Sequence, residues 1–517
     1  MLSDSASLIL STKSTINPCT INAQKTAFTF NNIDMKNVMG EMWDKYDQFA
    51  LKLVSFSTEG GITIVSGSTM GQLSYNLRGL EWSNVIYEST GSIVNKEWVP
   101  VAFVFLNAFG GAVVNPLIVN TGWSFNFKKG NRFENFEFAL ANTEPANVDA
   151  SSFGVYPAGN NFNDVEFHFL FEPVIPGKMN ECAFYGFNSN VNMPGIKRTV
   201  TDNNKIYSYP DFNMRRLCNL FWDKHDDFEI QLGMISARGT GTNVGDVRIT
   251  PVQISGLNFV NNGTKQSNDT AGLRLNTENA IIGTVIAPNG GSQYTYDLAY
   301  PVAPVQFKKD GDNVPLTITF KNSENTGTTN AAGFGGFATP YWQLAFFVKP
   351  IYEVEKATLN INPWGLTTTE TNLGVRDTDY TTFTLKNIDI RKVCQSFWDK
   401  YDRFNIFLTQ TTSFTTASNS SGGYRLEMEG FDFIPQLSLT NTGRQNQVAT
   451  LGSVSTFVNA TEVVSIGTMA SLMTTFYKTK SIVDLKLNAF AVNGAALPAA
   501  DRPLLGNFTF TIVGVKE

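Results

Sequence analysis

Histidine and cysteine are scarce, two and four in 517 residues. His168 and His225 are too few to build a His-rich metal centre, and neither sits in a pattern that suggests a catalytic triad. The cysteines form no CxxC motif or Cys/His cluster, and four are too few to staple a 57.0 kDa chain, so no disulfide framework is expected. Charge is sparse as well, at 16% of residues, with 39 basic against 45 acidic side chains and no Lys/Arg run at either end. That balance argues against the phosphate contacts that dominate nucleic-acid binding. The opening residues lack a cationic flank followed by an apolar core, so no secretory signal is expected and the protein reads as made and used inside a cell. Sequons at Asn262, Asn268, Asn419, Asn459 and Asn507 carry little weight in a chain so rich in Asn, Ser and Thr. One uncharged run, residues 101–119, nearly reaches the length of a membrane span. Asn107, Asn115, Pro116 and the Gly110-Gly111 pair make it read instead as two buried strands and a turn, with no transmembrane segment expected.

The abundant residues are 41 Phe and 42 Gly, in a chain that is 42% hydrophobic, which favours many strands joined by polar turns. The organising stretch is WDKYDQF, Trp43–Phe49, because it returns as WDKHDDF from Trp222 and WDKYDRF from Trp398. The tryptophans are 179 and 176 residues apart, so the chain reads as three copies of one unit of about 172 residues. Boundaries at 1–176, 177–354 and 355–517 follow, without Gly/Ser- or Pro-rich linkers.

Each copy carries the same landmarks. Asp34, Asn213 and Asp389 are helix caps, flanked by Ile33/Val38, Phe212/Leu217 and Ile388/Val393 as hydrophobic staples. Apolar residues then recur at helical spacing up to Trp43, Trp222 and Trp398, which predicts one substantial amphipathic helix per copy. Alternation follows at once: Phe49, Leu51, Leu53; Phe228, Ile230, Leu232, Met234; Phe404, Ile406, Leu408. The helix therefore feeds a half-buried strand. A Gly-apolar-x-aromatic step recurs at Gly79, Gly256 and Gly430. FNFKKG (125–130), VQFKKDG (305–311) and, more loosely, TFYKTK (475–480) recur later, each before another alternating strand. With closing runs at 165–175, 341–353 and the C-terminus, each copy offers about eight strands and one helix, a two-sheet sandwich.

Chemistry has little to work with. Asp44/Asp47, Asp223/Asp226 and Asp399/Asp402 form DxxD pairs that oxygen-loving cations use, but as part of a repeated frame they read first as capping or ion-pair residues. Lys45, Lys224 and Lys400, or unpaired turn amides, are the expected compensating groups. The three tryptophans lie on apolar helix faces and read as plugs between helix and sheet rather than as sugar-stacking platforms. His225 replaces Tyr46 and Tyr401, and Cys218 and Cys394 replace Met39, which is packing behaviour; the thiols suit a reducing compartment. Gly333–Gly336 lacks the Lys-Ser/Thr of a phosphate loop. No catalytic, cofactor-binding or metal-ligating residue is assigned.

The order of two strands, a capped helix with an aromatic end, and a strand running straight out of it (WDKYDQFALKLVSF, WDKHDDFEIQLGMI, WDKYDRFNIFLTQT) resembles the viral capsid jelly roll. The resemblance implies an all-β chain of three tandem jelly-roll sandwiches, each with one short amphipathic helix before a core strand. It implies a structural component of an icosahedral shell, without enzymatic activity, in the virion of a large DNA virus and assembled inside the host cell. Double jelly-roll major capsid proteins have two such units in a chain. Three fused copies look more like a minor capsid protein, a pseudo-trimeric monomer or homo-oligomer whose partners are other capsid proteins rather than nucleic acid. A major capsid role, a glycan-binding or attachment β-sandwich, and a carboxylate-pair glycosidase are the alternatives.

Overall fold

The computed structural model describes residues 5–14, 19–21, 27–58, 62–63, 72–87, 98–105, 113–114, 117–119, 124–142, 165–176, 180–188, 197–201, 206–240, 248–266, 274–275, 278–287, 293–297, 304–320, 341–351, 356–363, 365–415, 423–433, 448–459, 462–471, 474–491 and 506–515. Within the apolar run 101–119, residues 106–112 and 115–116, with the Gly110-Gly111 pair, lie outside these residues, as do the Gly333–Gly336 stretch and the sequons at Asn268 and Asn419. No described helix is long and apolar enough to cross a membrane.

The first set of strands comprises β1 (Ala6–Ser11), β2 (Ala27–Asp34), β3 (Gln48–Thr58), β4 (Gln72–Arg78), β5 (Glu81–Ser83), β6 (Val85–Tyr87), β7 (Val99–Phe105), β8 (Ser124–Lys128), β9 (Phe133–Asn142) and β10 (Val165–Pro173). All but β6 form two sheets, with the strand orders β1-β10-β3-β8-β5 and β7-β4-β9-β2. Relabelled in chain order, the eight long strands B to I lie as B-I-D-G and F-E-H-C. That is the jelly-roll arrangement, in which two Greek keys bury alternate side chains between facing sheets.

The second set repeats the scheme with β11 (Ala183–Asn188), β12 (Ile206–Asn213), β13 (Asp227–Thr240), β14 (Arg248–Ser255), β15 (Asn258–Phe259), β16 (Asn262–Gln266), β17 (Asn279–Ala287), β18 (Val305–Lys308), β19 (Asn313–Phe320) and β20 (Tyr341–Pro350). Its sheets are β15-β18-β13-β20-β11 and β12-β19-β14-β17. The third uses β21 (Lys356–Asn362), β22 (Thr382–Asp389), β23 (Arg403–Thr415), β24 (Gly423–Glu429), β25 (Asp432–Phe433), β26 (Val448–Asn459), β27 (Glu462–Ser471), β28 (Thr474–Tyr477), β29 (Ile482–Ala491) and β30 (Gly506–Gly514). Here β27 pairs with both β23 and β26 and links the two sheets into one. The fold is all-β, a triple jelly roll.

Each set encloses its own apolar core. The first is built on Phe28, Phe30, Phe138, Phe167 and Phe169, the second on Tyr185, Tyr207, Tyr209 and Phe346, and the third on aliphatics with Phe383, Phe508 and Phe510. The glycines of the Gly-apolar-x-aromatic step have a steric reason. Gly79, Gly256 and Gly430 adopt φ of 116°, 94° and 120°. A Cβ there would meet the carbonyl oxygen of Asn135, Pro315 or Asp484 at 1.8, 2.1 or 2.3 Å.

The capped helix differs from its expected form. The caps are in place: the side chains of Asp34, Asn213 and Asp389 accept from the backbone N–H of Asn37 (3.2 Å), Arg216 (2.6 Å) and Lys392 (3.1 Å). The helices they start, however, span only five residues each: α1 (Met35–Met39), α3 (Met214–Cys218) and α4 (Ile390–Cys394). Each stops at a residue with positive φ, Gly40 (56°), Asn219 (48°) or Gln395 (45°). A second short turn then brings in the tryptophan, within α2 (Glu41–Lys45) in the first copy and the 3₁₀ turn Gln395–Lys400 in the third, and directly after the 3₁₀ turn Asn219–Phe221 in the second. One left-handed residue redirects the chain so that both turns press apolar side chains into the sandwich.

Candidate functional site

The repeated WDKxDxF stretch builds one frame three times. The tryptophan ring stacks on the phenylalanine that opens the next strand: Trp43 on Phe49 (5.9 Å between centroids, 7° between planes), Trp222 on Phe228 (4.6 Å, 25°) and Trp398 on Phe404 (4.9 Å, 13°). That phenylalanine packs on the aromatic of the FKK or FYK motif, Phe127, Phe307 or Phe476. All three tryptophans are buried, as their place on an apolar face leads one to expect.

The lysine two residues beyond that aromatic closes the frame. Lys129, Lys309 and Lys478 donate their backbone N–H to the carbonyls of Asp47, Asp226 and Asp402 at 2.8, 2.8 and 2.9 Å. The ammonium groups of Lys129 and Lys309 lie 5.3 and 5.4 Å from the centres of the Trp43 and Trp222 rings, a cation–π distance. Lys309 and Lys478 also donate to the carbonyls of Trp222 (2.7 Å) and Trp398 (3.1 Å). In the second copy the Trp222 indole N–H donates to Asp312 at 3.0 Å. The sequence shows these lysines as a recurring motif but not their target, because the two stretches are some eighty residues apart.

The acidic pairs divide their roles. The first member takes an ion pair from the cation eight residues before it: Lys36–Asp44 (2.9 Å), Arg215–Asp223 (2.9 Å) and Arg391–Asp399 (3.2 Å). The compensating charge therefore comes from α1, α3 and α4; Lys45, offered by the sequence, pairs with Glu41 at 3.1 Å. The bend at the left-handed residue folds the second turn back beside the first, which a linear count along one helix misses. The second member contributes its backbone carbonyl, and Asp402 also lies 3.4 Å from Lys478. These carboxylates are exposed, and exposed pairs contribute little to stability. Among the described residues no group of three or more His, Cys, Asp or Glu side chains is placed to hold a metal ion.

His168 lies in β10 opposite Ile9 and Ser55. His225 Nε2 lies 3.4 Å from the buried carboxylate of Glu181, at the boundary between the first two strand sets. Cys182, Cys218 and Cys394 are buried free thiols, and burial pushes all three up, Cys182 to about 11. Buried in this way, they pack as small apolar side chains.

A feature without any counterpart in the sequence reading joins the units. Strand β6 follows the Gly79 step of the first copy, yet it pairs in parallel with β11 of the second, with Phe184 opposite Val85, Tyr185 opposite Ile86 and Gly186 opposite Tyr87. Likewise β16 of the second copy pairs in parallel with β21 of the third, from Thr358 opposite Asn262 to Asn362 opposite Gln266. The same bond opens both pairings: Phe184 N–H donates to Asn84 O (2.8 Å) and Thr358 N–H to Asn261 O (2.9 Å). Both asparagines have positive φ, 58° and 52°, and swing the chain from one sheet into the next. Ile86 thereby enters the second core, while Phe184 and Phe347 enter the first. Lys356 of β21 adds a 2.7 Å ion pair to Glu229 of β13. The available signal was an Asn five residues after the glycine in two copies out of three.

No family model matches the chain, and no curated protein matches it. Solved structures that resemble it do so loosely. A chain from the triple jelly-roll fold and turret assembly of an archaeal virus shares 10% identity over 96% of both chains at a TM-score of 0.16. A chain from Sulfolobus turreted icosahedral virus shares 10% over 96% of this chain and 97% of that one, also at 0.16. The tandem CBM22 modules of Paenibacillus barcinonensis Xyn10C share 9% over 68% of this chain and 92% of that one, at 0.15. Superpositions this loose carry no inference about function, and the fold assignment rests on the strand order.

Proposed function

We propose that the chain is a structural component of an icosahedral virus capsid, a minor capsid protein that acts as one three-jelly-roll block against neighbouring major capsid proteins. The observation that carries this reading is the repetition of one B-I-D-G/F-E-H-C sandwich three times, with successive units joined by the same exchanged strand. Units fixed in this way present three related outer surfaces at a set spacing. Fusing them also removes part of the association entropy that three separate chains would lose. The frame residues Trp43, Asp44, Asp47, Trp222, Asp223, Asp226, Trp398, Asp399 and Asp402 serve the scaffold: they lock the helical turns onto each sandwich. We place the unit boundaries near residues 177 and 354, with β6 and β16 reaching across them, and the protein in the virion, assembled within the host cell.

The test is light scattering and small-angle X-ray scattering on the full chain, then sedimentation with the shell protein of particles from cells that produce it. A 57.0 kDa three-lobed monomer that co-sediments at fixed stoichiometry is the expected result. Closed shells formed by the chain alone would make it the major component. Indifference to shell protein together with saturable glycan binding would replace this reading with the β-sandwich glycan-binding one.

A further inference from the structure

We infer that the outer edge of β1 is a docking strand that takes up an extended arm of a different polypeptide as a parallel neighbour. That this polypeptide is a shell protein rests on the capsid reading; the edge does not.

The register makes β1, β11 and β21 equivalent. Ala6 faces Phe171, Ala183 faces Val348 and Ala357 faces Ile512, each two residues before the residue that faces Phe49, Phe228 or Phe404. Ser7 thus stands where Phe184 and Thr358 stand, and Ile9 where Gly186 and Asn360 stand. In β11 and β21 these positions are covered by β6 and β16, and all four residues are buried. In β1 they are not. Ser7 is exposed, Ile9 is 57% exposed, and among the described residues β1 pairs only with β10. The Ser7 N–H occupies the place from which Phe184 and Thr358 donate to the incoming strand.

Open edges are normally guarded by lysine, proline or a bulge. ASLILS has no charge and no proline, and its six pairs with β10 run without a register shift. An unguarded six-residue edge with an apolar side chain facing out is a template for strand addition.

Among the described residues no strand fills that edge as β6 and β16 fill the other two. Counting five residues from Gly79 and Gly256 gives the pivots Asn84 and Asn261; the same count from Gly430 gives Pro435. The proline ring fixes φ near about −65°, so the left-handed pivot is closed to it. The third copy's sequence therefore lacks the asparagine pivot with which the first two hand a strand to the next unit. The occupant comes from another protein, and β6 shows its chemistry: an uncharged, extended segment with β-branched side chains, entering with a free carbonyl opposite Ser7.

The experiment uses the full chain and a synthetic peptide of residues 81–88 (EWSNVIYE), which carries the β6 strand, with a scrambled peptide as control. Ser7→Pro removes the outward donor without touching a β1–β10 bond, and Ile9→Lys places a guard on the edge. The expected result is saturable binding that slows hydrogen exchange of the outward Ser7 and Ile9 amides at least about tenfold, weakened at least about tenfold by either substitution. Absence of binding, or equal binding by both variants, overturns the proposal. So does protection of the outward-facing Ser7 and Ile9 amides in the free chain, whether constant (cover by its own residues) or rising with concentration (a second copy). Shell-protein binding that survives Ser7→Pro overturns the edge and leaves the capsid reading intact. Peptide binding in a chain that no shell protein recognises does the reverse.

Discussion

Replacing Gly256 with alanine separates two costs that the repeated glycine avoids. Its φ of +94° is unfavourable for any residue with a Cβ, by about 1–2 kcal/mol. The added methyl would also lie 2.1 Å from the Pro315 oxygen and 2.7 Å from its carbonyl carbon, so β14 and β19 must move apart by more than an ångström. Forced displacement of that kind costs about 1–3 kcal/mol, which gives roughly 2–5 kcal/mol in all. Gly40→Ala is the matched control, with φ +56° but nothing within 4 Å of the new methyl. Asparagine and glutamine already occupy the corresponding places at 219 and 395, so only the backbone cost is expected there. The assay is native-state hydrogen exchange of Val252–Ser255 and their partners Thr317–Phe320. At tenfold per about 1.4 kcal/mol, opening should accelerate roughly thirty- to several-thousandfold for Gly256→Ala. Gly40→Ala should speed opening of its own region by at most about thirtyfold. If Gly256→Ala opens no faster than Gly40→Ala, the steric account of the motif is wrong.

Trp222→Ala removes a buried ring stacked on Phe228 and should cost about 3–5 kcal/mol, seen as early urea unfolding of the second sandwich, whereas Trp222→Phe should lose distinctly less. The Arg132 guanidinium, hydrogen-bonded to Asp34, holds that carboxyl below the usual carboxylate range. A lowered folded value means the pair supports the fold above the unfolded pKa near 3.8 and loses that support as pH falls through the folded value; Arg132→Ala should shift the Asp34 titration upward in carboxyl-labelled NMR. Asn84→Pro copies the third repeat at the first pivot; it should raise exchange at Phe184–Gly186 while leaving the strand pairs of both sandwiches protected, and loss of either sandwich would show that the exchanged strand is part of its fold.

Patterns carried by neighbours in sequence were legible. Three differently spelled caps, three alternating strands behind them and the recurrent glycine were enough for the sandwich. The left-handed break was less so: glycine signals it at residue 40, but Gln395 adopts a similar φ without such a signal, ahead of the buried Phe397 and Trp398. The acidic pairs read as capping or ion-pair residues, but Lys36, Arg215 and Arg391 could not be named as partners because they reach Asp44, Asp223 and Asp399 only after that break. The exchanged strands were invisible because their stability lies in another unit's edge. Val85 and Ile86 look like any short strand until β11 stands beside them.

Electron cryomicroscopy of particles purified from cells that produce the chain decides whether it belongs to a shell. The account predicts density for three consecutive eight-stranded sandwiches at a fixed copy number per icosahedral asymmetric unit, with β6 and β16 bridging successive units and a foreign strand along β1. Particles complete without that density, with the chain left in the soluble fraction, would contradict it.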